Sequence, residues 1–170
     1  MSLSARRLMP LSRDPDEGEA IWATGGLYTY RAVFADTGAY FACEVKAPAG
    51  YAIPVHFHDA EEEGFYVALG EATIFLEDEA RRLGAGSFAF APRGVRHSFR
   101  LETADARLLL LVSPGPEHEA LFRDLGLPAP QRVPPPPPEG PPDVALLGEI
   151  AARHGTRIVG PPPVGATEPR

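Results

Sequence analysis

Residues 50–70 decide the fold and read GYAIPVHFHDAEEEGFYVALG. One residue separates His56 from His58, so their imidazoles share a side of the chain only in an extended backbone, because side chains alternate along a strand. Glu63 follows a short polar turn and begins an apolar run typical of a returning strand. The pattern predicts a hairpin on which two imidazoles and one carboxylate converge.

A second stretch supplies a fourth candidate ligand. Residues 86–97 read GSFAFAPRGVRH and end in His97, which we place on a separate strand. Neutral imidazoles together with a carboxylate suit a divalent Fe, Mn, Ni, Co, Cu or Zn ion, and four ligands leave two octahedral positions for substrate or dioxygen. Histidines on a polar strand are often plain surface residues, but this pair has two further partners. We predict a metal centre of His56, His58, Glu63 and His97.

The two stretches resemble the two motifs of the cupin superfamily. The spacing of the first motif is met by Gly50, His56, His58, Glu63 and Gly70. The spacing of the second is met by Gly86, Pro92, Gly94 and His97. The second motif usually ends in an asparagine, where this chain has Leu101. The resemblance implies an all-β fold, the cupin jelly roll (double-stranded β-helix), with one divalent transition metal ion as cofactor.

The remaining sequence fits one such barrel followed by short C-terminal helices. Short segments rich in β-branched and aromatic residues, separated by turn residues, recur between residues 20 and 113. Helical patterns follow over residues 117–125 and 144–154, with a proline-rich strap between them. We expect a flexible arm at residues 1–18, the barrel at 19–113, a helical extension packed on the barrel at 114–160, and a tail at 161–170.

The C-terminal pattern narrows the resemblance. A single cupin followed by a short LFRDLG helix, a proline-rich strap and an IAARHG helix resembles bacterial quercetin 2,3-dioxygenase-like proteins. This resemblance implies an oxidoreductase in which the four ligands hold the metal, Glu63 takes the substrate proton, and dioxygen cleaves the ring with loss of carbon monoxide. We place His118 in the exposed first turn of the first helix and His154 near the end of the second, and we expect neither to be a ligand.

Strand parity gives a provisional interior. If Glu63 and His97 face inward, then residues two positions along each strand do so as well. Phe65, Val67 and Leu69 then face inward with Glu63, and Phe99 does so with His97. Phe88 and Phe90 share a face with each other, and we count both among the pocket residues. These side chains are either plain core or the wall of a pocket for a small apolar or aromatic substrate.

Composition excludes several classes of partner. The chain has 170 residues and a net charge of −7, and Lys46 is its one lysine, so no basic stripe is present for nucleic acid. The longest apolar run, residues 108–112, is too short to cross a bilayer, and residues 1–20 lack the apolar segment of a signal peptide. We expect a cytoplasmic protein, without membrane association, that forms a homodimer.

Two further functions are compatible with the sequence. An isomerase or epimerase acting on a sugar or keto acid would need basic groups such as Arg31 or Arg107 directed into the cavity. A non-catalytic binding module would use the metal only to hold its ligand.

Overall fold

The computed structural model describes residues 8–140 and 142–164. The strands are β1 (Ala20–Ala23), β2 (Gly26–Ala32), β3 (Phe41–Lys46), β4 (Val55–His58), β5 (Glu62–Leu69), β6 (Glu71–Leu76), β7 (Glu79–Gly84), β8 (Phe88–Ala91), β9 (His97–Leu101), β10 (Arg107–Ser113), β11 (Leu127–Pro128) and β12 (Thr156–Gly160). The helices are α1 (Phe34–Thr37), α2 (Pro116–Leu125) and α3 (Val144–Arg153).

The strands form two antiparallel sheets. The larger sheet has the order β11-β1-β2-β3-β10-β5-β8, and the smaller has the order β12-β4-β9-β6-β7. Because consecutive strands are distributed between the two sheets, the chain crosses from one to the other as a jelly roll does. The structure confirms the predicted all-β jelly roll with short C-terminal helices.

Strand β10 shows why the core forms between the sheets. It lies between β3 and β5, and its inward residues Leu108, Leu110 and Val112 are buried, whereas Leu111 is exposed on the other face. The smaller sheet contributes Ile74 and Phe99 to the same core cluster. Burying one such side chain contributes roughly 1.5–3 kcal/mol. The alternation along each strand therefore fixes which face of each sheet meets the other.

The phase of β8 differs from the sequence prediction. Ala91 pairs directly with Glu63 on β5 and is fully buried, so the alanines of β8 share the inner face with Glu63. Phe88 and Phe90 consequently lie on the outer face and are 58% and 48% exposed. The ring of Phe88 covers Gly64, where a Cβ would lie 2.8 Å from the ring. The prediction that Phe88 and Phe90 line an inner pocket is wrong.

The C-terminal extension contributes strands to both sheets. β11 pairs with β1 at the edge of the larger sheet, and β12 pairs with β4 at the edge of the smaller one. The strap contacts the barrel through the indole N–H of Trp22, which donates to the carbonyl of Val133 (2.8 Å). His154, at the end of α3, lies 2.8 Å from the Asp124 carboxylate of α2 and joins the two helices. No helix in the described ranges combines the length and apolar character needed to cross a bilayer.

Gly70 of the first motif joins β5 to β6 with a left-handed φ of 67°. A Cβ at this position would collide with the Thr103 hydroxyl and lie 2.8 Å from the Cα of Ala106. We expect Gly70→Ala to lower the free energy of unfolding by about 2–4 kcal/mol, because it combines backbone strain with overpacking. Urea unfolding measures this loss. The control is Gly84→Ala, where a Cβ meets open space, and equal losses in the two variants would contradict the explanation.

Candidate metal centre

Three strands bring the four predicted ligands together between the sheets. His56 and His58 lie on β4, and His97 begins β9, where it pairs directly with His56. Glu63 approaches from β5 of the opposite sheet, so β4 and β5 do not pair and the predicted hairpin is wrong. The four side chains are 1–6% exposed. One donor atom from each lies within 4.8 Å of all the others, so the cluster has the geometry to hold one metal ion.

The imidazoles are oriented by hydrogen bonds at Nδ1. Nδ1 of His56 donates to the carbonyl of Pro54, and Nδ1 of His97 donates to the carbonyl of Val95, both at 2.8 Å. Because a carbonyl oxygen only accepts, these contacts place a proton on Nδ1 in each ring. Nε2 then carries the lone pair that a metal needs.

The donor set fits a cation. Oε2 of Glu63 lies 3.1 Å from Nε2 of both His58 and His97. A neutral His97 with its proton on Nδ1 turns its Nε2 lone pair toward this carboxylate oxygen, and the two lone pairs repel unless a cation lies between them. A divalent metal ion removes this repulsion and satisfies all four donors.

The pKa directions agree with a ligand cluster. Burial raises the pKa of Glu63, but the adjacent His58 and His97 imidazoles outweigh it and lower the pKa well below its ordinary value. Burial, together with the neighbouring His97 and His58, lowers the pKa of His56 well below its ordinary value. Glu63 is therefore ionised and His56 neutral at pH 7, which are the forms that bind metal.

Thr156 of β12 orients the third imidazole, since its Oγ1 lies 3.0 Å from Nδ1 of His58. We expect Thr156→Val, which keeps the shape of the side chain and removes the hydroxyl, to weaken metal affinity about tenfold or more. Competition with a zinc chelator measures the affinity. The matched control is Val159→Thr on the exposed side of the same strand. An unchanged affinity in Thr156→Val would show that this hydrogen bond does not support the ligand.

An apolar cavity of about 70 Å³ adjoins the centre. His56 and Glu63 form part of its wall, and α2 and α3 cover it. Its apolar lining comes from both sheets and both helices, mainly Ile53, Phe99, Leu110, Leu121, Phe122, Leu125, Leu147 and Ile158. In the described part of the chain, neither arginine nor lysine lines this cavity.

The predicted pocket residues divide into three groups. Phe99 lines the cavity. Phe65 and Val67 belong to the fully buried core instead, with the Phe65 ring 5.7 Å from the ring of His97. Phe88 and Phe90 lie on the outer face of β8, away from the cavity.

Sequence reasoning missed the burial of His118 beside the candidate ligands. This residue was expected in an exposed turn, but it is 4% exposed, and its ring packs edge-on against the ring of His58 at 4.9 Å. The helical period could have predicted this burial, because Leu121, Phe122 and Leu125 follow His118 by three, four and seven residues and therefore lie on the same face of the helix. This apolar stripe turns the first turn of α2 toward the barrel.

Glu61 was also missed, although it fixes the position of α2. Its carboxylate accepts hydrogen bonds from the backbone N–H groups of Glu117 and His118, both at 3.0 Å. Burial raises the pKa of Glu61, and these two hydrogen bonds partly oppose that shift. A buried carboxylate two residues before Glu63 thus attaches α2 to the connection between β4 and β5, the strands that carry three of the four candidate ligands.

Residues 43–113 match the family model described as a cupin domain. Together with the jelly roll and the buried cluster of three histidines and one glutamate, this match supports assignment of the chain to the cupin superfamily. A solved RmlC-like cupin from Shewanella frigidimarina shares the fold, with a TM-score of 0.53 at 22% identity, over 62% of this chain and 93% of that one.

Two curated relatives show similarity in sequence. Quercetin 2,3-dioxygenase of Bacillus subtilis is 27% identical over 121 residues, which is 71% of this chain and 36% of that protein. Dimethylsulfoniopropionate lyase DddQ of Ruegeria pomeroyi is 44% identical over 69 residues, which is 40% of this chain and 33% of that protein. The chain thus spans about a third of the length of each of these relatives.

Proposed function

We propose that this protein is a metal-dependent dioxygenase that cleaves a small enol-bearing or aromatic molecule with O2. The observation that carries the proposal is the ionised, buried Glu63, which lies against His58 and His97 in the wall of an apolar cavity. The similarity to quercetin 2,3-dioxygenase over most of this chain supports it.

The chain's own groups suit the chemistry of such a reaction. His56, His58, Glu63 and His97 would hold one divalent transition metal ion, which would supply Lewis acidity and redox activity when bound. Glu63 contributes a carboxylate to the cavity wall, so it would accept the proton of the substrate hydroxyl. The apolar residues of α2 and α3 exclude water and hold the apolar body of the substrate.

Oxygen uptake by metal-loaded protein tests the proposal. The purified protein is analysed for bound metal, reloaded separately with Fe, Mn, Ni, Co, Cu and Zn, and assayed in an oxygen electrode with flavonols and catechols. We expect uptake that requires both the metal and the organic substrate. A fully loaded protein that consumes no O2 with any redox-active metal or substrate would overturn the proposal.

A lyase is the second candidate, favoured by the size of the cavity. About 70 Å³ is well below the roughly 300–1,000 Å³ of pockets for drug-sized ligands, so it suits a compact substrate. A lyase would use Glu63 to remove a proton from such a substrate, and the electron pair of the broken C–H bond would form a double bond as the bond to the leaving group breaks. The lyase DddQ is 44% identical over the matched segment. The test is to incubate metal-loaded protein with dimethylsulfoniopropionate under nitrogen and to monitor the substrate by proton NMR. Consumption of the substrate would favour this candidate, because a dioxygenase is inactive without O2.

An isomerase and a non-catalytic binding module have less support. An isomerase for an anionic sugar would need basic groups in the cavity, but Arg31 pairs with Glu44 (3.3 Å) outside it. A binding module predicts ligand binding without turnover, both in the oxygen electrode and under nitrogen. The homodimer and the cytoplasmic location stay predictions, and the exposed aromatic face formed by Tyr66, Phe88 and Phe90 supports the first of these.

A further inference from the structure

Leu147 has a position that neither the barrel core nor the metal centre requires. It lies on α3 and lines the cavity that adjoins the candidate ligands. In the described part of the chain, the core cluster between the two sheets contains no residue of α3. Phe99, Leu110 and Phe122 also line the cavity, but they belong to that cluster. The size of Leu147 therefore matters more to the cavity than to the barrel.

The cavity has a deep end and a mouth. At the deep end, His56 and Glu63 are 6% and 1% exposed. Thr24, in the turn between β1 and β2, also lines the cavity and is exposed to solvent. Leu147 is partly buried, so its side chain meets both the cavity and the solvent. It consequently stands near the mouth, between the solvent and the candidate ligands.

Contacts at the C-terminal end of α3 hold Leu147 over the cavity. Nε2 of His154 lies 2.8 Å from the Asp124 carboxylate of α2, and β12 follows directly and pairs with β4. Ala151 also lines the cavity and is 1% exposed. Because Leu147 precedes Ala151 by four residues, the two side chains share one face of the helix. That face covers the cavity, with Leu147 as its large residue.

The other large apolar residues outside the core cluster are poorer candidates for a size limit. Three of them pack against the core or are buried on α2: Ile53, Leu121 and Leu125. Ile158 pairs with His56 in the ladder between β12 and β4, so its replacement would disturb a candidate ligand. Leu147 is therefore the large lining residue whose size can change with the least effect on the barrel and the ligands.

We propose that Leu147 limits the size of the substrate, and that the substrate is a compact molecule with one ring or a short chain. The cavity of about 70 Å³ is well below the roughly 300–1,000 Å³ of pockets for drug-sized ligands. In an apolar pocket, a single methylene group changes selectivity by roughly 10–200-fold, so one leucine at the mouth suffices for such a limit. This inference rests on the proposed function, because it takes the cavity beside Glu63 as the substrate site.

Anaerobic titration of the zinc-loaded protein with maltol and with 3-hydroxyflavone tests the proposal. Both probes carry the same 3-hydroxypyran-4-one group for the metal, but 3-hydroxyflavone has a fused benzene ring, and a phenyl group in place of the methyl group. A dioxygenase turns over neither probe without O2. We expect the wild type to bind maltol about tenfold more tightly than 3-hydroxyflavone. Leu147→Ala is expected to bind 3-hydroxyflavone about tenfold more tightly than the wild type does, and to change the Kd of maltol less than about twofold.

Leu146→Ala is the matched control, because Leu146 is 52% exposed on the same helix and lies outside the cavity lining. It is expected to leave both Kd values unchanged, and both variants are expected to keep the zinc content of the wild type. Three results for Leu147→Ala would overturn the inference: an unchanged Kd for 3-hydroxyflavone, an equal shift for both probes, or loss of zinc.

Two results for the wild type would also overturn the inference: equal affinity for the two probes, or binding of neither. The titration needs no turnover, so it separates this inference from the proposed reaction. If Leu147→Ala shows the expected shift but no substrate gives oxygen uptake, the dioxygenase proposal fails and the role of Leu147 stands. If a substrate gives oxygen uptake but the shift is missing, the role of Leu147 fails and the dioxygenase proposal stands.

Discussion

Glu63→Gln is expected to reduce turnover by about a thousandfold with whichever substrate gives oxygen uptake, because an amide oxygen does not accept the substrate proton. The amide still offers an oxygen to a metal and keeps the size of the side chain. We therefore expect Glu63→Gln to retain more metal than His56→Ala, which deletes a ligand. Steady-state kinetics and metal analysis of the same preparations measure the two effects.

The comparison of these two variants decides the role of Glu63. Its carboxylate is fully buried and lies 3.1 Å from two imidazoles, so it could serve as a ligand, as a base or as both. If both variants lose metal and activity to the same extent, Glu63 is only a ligand and the proposed proton transfer must be assigned to another group.

Glu61→Ala is expected to lower the free energy of unfolding by about 3 kcal/mol, because it leaves the N–H groups of Glu117 and His118 without acceptors at a buried helix terminus. Chemical denaturation measures the loss. The neighbouring Glu62 is the matched control: it pairs with Arg93 at 3.4 Å on the surface, and its removal should cost less than about 1 kcal/mol. Similar losses for Glu61→Ala and Glu62→Ala would contradict a special role for Glu61.

The sequence predicted the barrel and the ligand cluster well, because both depend on local patterns. The period of two places His56 and His58 on one face of β4, and a short turn then carries the chain to the opposite sheet, from which Glu63 reaches the same point. The helix limits were also close, at 117–125 against Pro116–Leu125 and 144–154 against Val144–Arg153. Proline, glycine and the capping residue Asp143 mark these limits locally.

The errors arose where distant segments decide the outcome. Alternation along β8 shows that Phe88 and Phe90 share a face, but only the pairing of Ala91 with Glu63 across the sheet determines which face that is. Glu61 stands in a run of three glutamates, and its burial depends on a helix that begins more than fifty residues later. Both facts follow from tertiary packing, and the local sequence carries neither.

The pairing of β12 with β4 has a consequence for how the protein matures. The hydroxyl that orients His58 comes from Thr156, ninety-eight positions further along the chain. A nascent polypeptide emerges from the ribosome in order. The four candidate ligands, and the carbonyl groups that orient His56 and His97, are therefore available long before this hydroxyl. We therefore expect tight metal binding to be a late event in biogenesis, and a stalled or prematurely terminated product to bind metal weakly even with all four donors present.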